Sequence, residues 1–149
     1  MLIKMFLAFL TSLFTGVTLR TPPPAWLAVG LTGMLGWGTS AAMLKQGIPE
    51  LVAAVSGAMV VGLLSEILAR LQKQPVTVYI VSGIIPLVPG IIAYNTMLQF
   101  LEKNFNLGLL LAFKAFLIAS YLAAGVAVAP LLVRHFREVV SRWRLFTKH

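Results

Sequence analysis

The chain has 149 residues, of which 59% are hydrophobic and 11% are charged, whereas a soluble domain carries roughly 25% charged residues. Its net charge of +8 does not indicate nucleic-acid binding, because the basic residues fall between hydrophobic runs or after the last one, which is the pattern of membrane proteins. With no cysteine, two histidines and four acidic residues, we expect no metal centre, no cofactor and no enzymatic site.

Five apolar stretches are long enough to cross a bilayer, which takes about 20 helical residues. Polar and proline-containing segments separate them. Pro49, for example, stands in the first turn of the third stretch, where its missing N–H costs nothing. The sequence therefore predicts an all-α polytopic membrane protein of about five spans, followed by a basic tail over residues 134–149. The spans form one transmembrane domain over residues 1–133 and cover residues 1–19, 25–44, 48–69, 76–101 and 107–133.

The start of the chain resembles a secretory signal peptide, because Lys4 is followed by an apolar run;. No cleavage site of the A-x-A kind follows, and Arg20 and three prolines come directly after the run. We therefore expect the first helix to be retained. Its removal would leave four spans and would place the new N-terminus inside.

The distribution of basic residues predicts the orientation, since Lys and Arg are enriched on the cytoplasmic side of membrane proteins. If the tail is cytoplasmic, five spans place eight of the twelve basic residues inside and three outside, namely Lys4, Lys45 and Lys103. The twelfth, Lys114, lies within the fifth predicted span. We therefore expect a multi-pass protein of the inner (plasma) membrane, with its N-terminus outside and its C-terminus in the cytoplasm.

The fourth predicted span contains a break near its middle. Pro86 and Pro89 each lack a helix donor, and Gly90 follows at once;. About ten residues lie on either side, so that each half is roughly 15 Å long and the break falls near the midplane of the bilayer. Non-helical backbone at that depth is tolerated only where protein or a water-filled cavity receives it.

Broken helices at the midplane recur as binding sites of transporters. The start of the second half, residues 90–92, would offer free N–H groups and the positive end of a helix dipole to a substrate carboxylate at Gly90. The alternative is a proline kink that only shapes the packing. Hydroxyl and amide groups close to the break complete the predicted site, and they belong to Ser82, Tyr94, Asn95 and Thr96.

Two ionisable residues inside the spans are further candidates. Lys114 would pair with a substrate carboxylate or with an acid of a partner subunit, or its stem would extend to the headgroups. Glu66 stands four residues before Arg70, a spacing that favours an ion pair within one helix, with a proton-coupling carboxylate as the alternative. We interpret Glu50 as a charge that stabilises a helix start.

Small residues predict where the helices approach one another closely. The second span carries four glycines, and two other spans repeat small residues at intervals of four. These faces favour assembly, either with a second copy of the chain or with a different subunit. They are Ala54, Ala58 and Gly62 in the third span, and Ala119, Ala123 and Ala127 in the fifth.

The segment GIIPLVPGIIAYNTM of residues 83–97 resembles the signature of the threonine/serine exporter (ThrE-type) family. More closely, the chain resembles the small, separately encoded five-helix subunit of that family (YjjB-type). Leu19 and Arg20 before the second span and the segment GLLSEILAR of residues 62–70 add to the resemblance, which covers roughly residues 12–133.

This resemblance implies a helical transmembrane fold and the export of threonine and serine, with succinate exported by some two-subunit members. It also implies a larger membrane subunit of the same family as a partner, to which the small half is fused in other members. We therefore expect the membrane subunit of a two-part exporter of small carboxylate-bearing metabolites, above all threonine and serine. The alternatives are a succinate (dicarboxylate) export subunit and a non-transporting assembly subunit, and a homo-oligomer is also compatible with the sequence.

Overall fold

A computed structural model describes the backbone of residues 1–146 and the side chains of residues 1–131 and 133. Within residues 1–146 the chain forms α-helices joined by short turns and contains no strand, which confirms the predicted all-α fold. A 3₁₀ turn, Pro23–Ala25, precedes the second helix, and another, Ile85–Leu87, follows the fourth. The helices are α1 (Leu2–Thr18), α2 (Trp26–Lys45), α3 (Glu50–Gln72), α4 (Val76–Ile84), α5 (Gly90–Leu101) and α6 (Phe105–Phe146).

Three helical segments are long and apolar enough to cross a membrane, namely Pro23–Lys45, Glu50–Gln72 and Phe105–Leu131. Helices α4 and α5 meet at an angle of 55° and together make a fourth candidate. Helix α1 has 17 residues and is about 25 Å long, at the lower limit for crossing the hydrocarbon core. The polytopic membrane architecture is confirmed. The predicted number of five spans is reached only if both the α4–α5 pair and α1 cross the membrane.

Four helices end in the same backbone motif, in which a residue just after the helix adopts the left-handed conformation. The following N–H then donates to the carbonyl five residues back, as from Asn104 N to Gln99 O at 2.9 Å;. Three of these four residues are basic, and a positive charge favours the negative end of the helix dipole. These motifs end α1, α2, α3 and α5. The left-handed residues are Arg20, Gly47, Lys73 and Lys103.

Helix α2 packs between α1 and α3, and its glycines allow the close approach. A methyl group on Gly33 would collide with the side chain of Ser12 in α1, and one on Gly36 would collide with Val61 in α3. In a membrane, helices associate through such close packing, because lipid tails are as apolar as leucine. The glycine-rich second span is thus the central helix of the bundle.

The predicted small-residue face of α3 packs against α6. Ala54 and Ala58 form a buried cluster with Ile118 and Leu122, and Gly62 lies against α6. The other predicted face is exposed in this chain. One of the two faces is therefore confirmed as a packing surface within the chain, and the second has no intramolecular partner among the described residues. That second face consists of Ala119, Ala123 and Ala127.

Helix α6 is one continuous helix of 42 residues that runs through Pro130. No change of backbone conformation marks the predicted boundary after residue 133. The basic side chains that were predicted to form the cytoplasmic tail, over residues 134–149, lie outside the described residues.

We expect the substitution Gly33→Ala to destabilise the protein, because the new methyl group would collide with Ser12 and would lie 3.3 Å from the carbonyl oxygen of Gly83. Overpacking of this kind costs about 1–3 kcal/mol. Thermal unfolding of the detergent-solubilised protein measures the loss. The matched control is Gly90→Ala, since a methyl group there has no atom within 4 Å. An equal loss of Tm in both variants would contradict the packing described.

Candidate functional site

The predicted break forms at the junction of α4 and α5. Helix α4 ends because Pro86 has no N–H to donate to the carbonyl of Ser82. Pro89 then adopts φ −75° and ψ 55°, the conformation of an inverse γ-turn, and Gly90 N donates to Val88 O at 2.7 Å. Helix α5 starts at this turn in a new direction, 55° from α4.

The start of α5 offers two backbone N–H groups that have no partner among the described residues. The first helical hydrogen bond runs from Ala93 N to Pro89 O at 3.0 Å, which leaves the N–H groups of Ile91 and Ile92 free. The N–H of Gly90, which the sequence suggested as an anion donor, is already used by the γ-turn. A carboxylate at this helix start would therefore be bound by Ile91 and Ile92, at the positive end of the α5 dipole.

A cavity of about 400 Å³ lies at the break, within the range of roughly 300–1,000 Å³ that is usual for small-molecule sites. Three predicted site residues, Pro86, Pro89 and Gly90, line it together with Ile91 and Ile92. Helices α2, α3 and α6 form other parts of its wall. The lining residues that these helices and the turn contribute are Trp37, Ser40, Leu44, Glu50, Ala54, Leu87, Val88 and Ile118.

Four polar residues of the predicted site do not line this cavity. Ser82 is fully buried and its Oγ lies beside Gly16 of α1. Tyr94 is 66% exposed, and Asn95 is exposed next to it. The hydroxyl of Thr96 donates to Ile92 O at 2.8 Å, within its own helix. Pro86, Pro89 and Gly90 thus line one cavity, whereas the polar residues that flank the break lie outside its wall.

Lys114 forms an ion pair that the sequence did not predict. Its Nζ lies 2.6 Å from Oε2 of Glu50, and the two side chains are 49% and 43% exposed. Glu50 also lines the cavity, so the charge that we interpreted as a helix-start residue belongs to the wall of the site. An exposed ion pair contributes roughly 0–1 kcal/mol to stability. The main consequence of the pair therefore concerns the charge of the cavity.

Glu66 forms the predicted ion pair with Arg70, whose Nη2 lies 2.9 Å from Glu66 Oε2. This contact confirms the local pairing that the spacing of four residues indicated. Glu66 stands sixteen positions after Glu50 in α3, which corresponds to about 24 Å along the helix axis. It is also absent from the wall of the cavity at the break.

A set of buried hydroxyl groups lies apart from the cavity. Their oxygens have no hydrogen-bond partner among the described residues, although buried polar groups are usually paired. Sequence analysis singled out only one of them, Ser82. The small-xxx-small spacing of Ser12 to Gly16 and of Ser65 to Ala69 could have identified two more. The set consists of Ser12, Thr21, Ser65 and Ser82.

These features define a class of protein. Discontinuous membrane helices with a cavity at the break recur in transporters, and the α4–α5 pair is a discontinuous helix of this kind. The chain belongs to the Threonine/Serine exporter family, ThrE, whose sequence pattern matches residues 4–132. This match includes the break, Glu50 and Lys114, and it confirms the resemblance seen in the proline motif. The family is one of transporters rather than enzymes. No solved structure matches the chain.

Single cysteines test whether the break faces water, because the chain has no cysteine of its own. We expect Gly90→Cys and Val88→Cys to react with a membrane-impermeant thiol reagent in intact membranes, because both positions line the cavity and are exposed. Ser82→Cys is the matched control, since Ser82 is fully buried. Protection of all three cysteines would show that the cavity is closed to water.

Proposed function

We propose that this chain is the membrane subunit of a two-part exporter of small carboxylate-bearing metabolites, with threonine and serine as its substrates. The proposal rests above all on one observation, the cavity of about 400 Å³ at the break of the α4–α5 pair. Ile91 and Ile92, whose N–H groups have no partner among the described residues, line this cavity. The membership of the chain in an exporter family supports the same function.

The geometry favours a carboxylate as the group that is recognised. Two adjacent N–H groups at a helix start donate to an anion without any positive side chain, and the dipole adds to the attraction. Hydrogen bonds to an ionised acceptor are roughly twice as strong as neutral ones. A carboxylate held by Ile91 and Ile92 would leave the rest of a small metabolite in contact with Trp37, Ser40 and Glu50.

The exposed surfaces of α5 and α6 support a second subunit. No residue of α5 is buried in this chain, and Asn95 is exposed at a depth where polar side chains facing lipid are unfavourable;. The exposed alanine face of α6 has the spacing that allows another helix to approach closely. We assign both faces to the larger membrane subunit of the family. That subunit would cover Asn95 and close the open side of the cavity.

We place the protein in the inner (plasma) membrane with its N-terminus outside, because of the excess of Lys and Arg on the opposite side. Glu50 and Lys114 then lie toward the outer side of the cavity, and the Glu66–Arg70 pair lies at the cytoplasmic end of α3. The chain supplies the break, and the substrate moves past it toward the outer side.

Efflux of labelled threonine, serine and succinate from an exporter-deficient bacterium tests the proposal. Cells would express this chain, the larger subunit, or both. We expect threonine and serine to leave the cells only when both chains are present, because the larger subunit is needed to cover the exposed face of α5. Efflux of succinate alone would assign the chain to dicarboxylate export. Unchanged efflux of every substrate in every combination would exclude transport of these substrates. The remaining alternative would then be a non-transporting assembly subunit.

Substitutions at the break test the site within the same assay. We expect Gly90→Leu to abolish export because its side chain would fill the cavity in front of the Ile91 and Ile92 N–H groups. Pro89→Ala should abolish export as well, since it permits a straighter helix. Gly90→Ala is the control of small volume and should retain export. The amount of protein inserted in the membrane, measured by immunoblotting of the membrane fraction, should be unchanged in all three variants. Normal export by both Gly90→Leu and Pro89→Ala would exclude the proposed site.

A further inference from the structure

Resting on the proposed export function, we infer that Glu50 binds the ammonium group of the substrate and thereby makes the cavity selective for zwitterions over dicarboxylates. Of the described residues that line the cavity, Glu50 is the ionisable one. A negative side chain in the wall of the cavity would repel a substrate that carries only negative charge. A zwitterion resolves this conflict, because it carries a group of each sign.

The cavity has two poles of opposite sign. The start of α5 is positive, with the open N–H groups of Ile91 and Ile92, and the carboxylate of Glu50 is negative. Both belong to the wall of one cavity, so a small molecule inside it is exposed to both. An α-amino acid would place its carboxylate at the helix start and its ammonium group at Glu50. A dicarboxylate would bring a second negative charge toward Glu50, and like charges at this range repel.

Trp37 supports the same assignment. Trp37 belongs to the wall of the cavity, and the face of an indole attracts cations. An ammonium group next to Glu50 would therefore meet an aromatic surface as well as a carboxylate. A second carboxylate would gain nothing from this surface, because the face of an aromatic ring is electron-rich.

Lys114 positions Glu50 and is not itself a wall residue. Its Nζ occupies one side of the carboxylate, at 2.6 Å from Oε2. An ionised carboxylate has two oxygens and about four acceptor positions, so that it can hold Lys114 and a substrate ammonium together. The pair joins α6 to the start of α3 and holds the carboxylate in the wall of the cavity. Lys114 also offsets part of the negative charge that an entering carboxylate meets.

Paired efflux measurements test this inference in cells that carry both subunits. For each variant, the ratio of threonine efflux to succinate efflux is measured, because this ratio does not depend on the amount of folded protein. We expect Glu50→Gln to lower the ratio at least about tenfold, since an amide cannot replace a carboxylate for an ammonium group. Glu102→Gln, in an exposed loop outside the site, is the matched control and should leave the ratio unchanged.

The charge-reversed double variant Glu50→Lys with Lys114→Glu separates ammonium binding from a structural ion pair. It preserves a pair between α3 and α6 but puts a cation into the wall of the cavity. Ammonium binding predicts that this variant favours succinate over threonine. A structural role predicts recovery of the wild-type ratio, and that result would overturn the inference.

The outcome for the wild-type complex distinguishes this inference from the proposed function. If the wild-type complex exports none of the substrates, the proposed function fails and the inference fails with it. If the wild type exports threonine and Glu50→Gln leaves the ratio unchanged, the export function stands and the role of Glu50 is refuted. Export of succinate in preference to threonine by the wild type would equally refute that role.

Discussion

The missing backbone donors of Pro86 and Pro89 are the constraint on which the structure of the site depends. In a lipid environment every backbone polar group has to be satisfied by protein or by water, because the hydrocarbon core offers no hydrogen bonds. The γ-turn at Pro89 pairs one group, the N–H of Gly90, and leaves those of Ile91 and Ile92 without a partner among the described residues. Both residues line the cavity that α2, α3 and α6 help to form. The proposed anion site therefore depends on the same feature that breaks the helix.

The features that the sequence predicted well are those that depend on nearby residues. Proline positions determined the break, and the turns between helices form at basic residues and Gly47, in left-handed conformations that the chain adopts locally. The Glu66–Arg70 pair follows from a spacing of four in one helix. The small residues of α3 identified a packing face because helices in lipid approach closely only at such residues. In each case the required partner lies within a few positions along the chain, or the type of residue alone determines the contact.

The features that sequence could not provide depend on how each helix is rotated about its axis. In soluble proteins an apolar stripe indicates the buried side of a helix, but these helices are apolar on all sides. The side to which Ser82 or Tyr94 faces therefore had no signature, and both lie outside the cavity wall although they are close to the break in sequence. The Glu50–Lys114 pair joins residues of distant helices, and neither residue carries a local motif that identifies the other. Glu50 is the first residue of α3, as its helix-start interpretation predicted, and only the packing of the helices shows that it also lines the cavity.

The distribution of polar groups supports the proposed partner subunit. Inside the chain, small residues allow α2, α3 and one side of α6 to pack closely against neighbouring helices. On the outside, α5 has no buried residue, Asn95 is exposed, and the alanine face of α6 has no partner among the described residues. A membrane protein that functions alone would be expected to turn such residues inward, because an amide facing lipid is costly. Helix α5 also carries the N–H groups of the proposed site at its start, so a subunit that covers its outer face would determine how far the cavity opens. Substrate binding and subunit assembly would then act on the same short helix, and the proposed partner would control export directly.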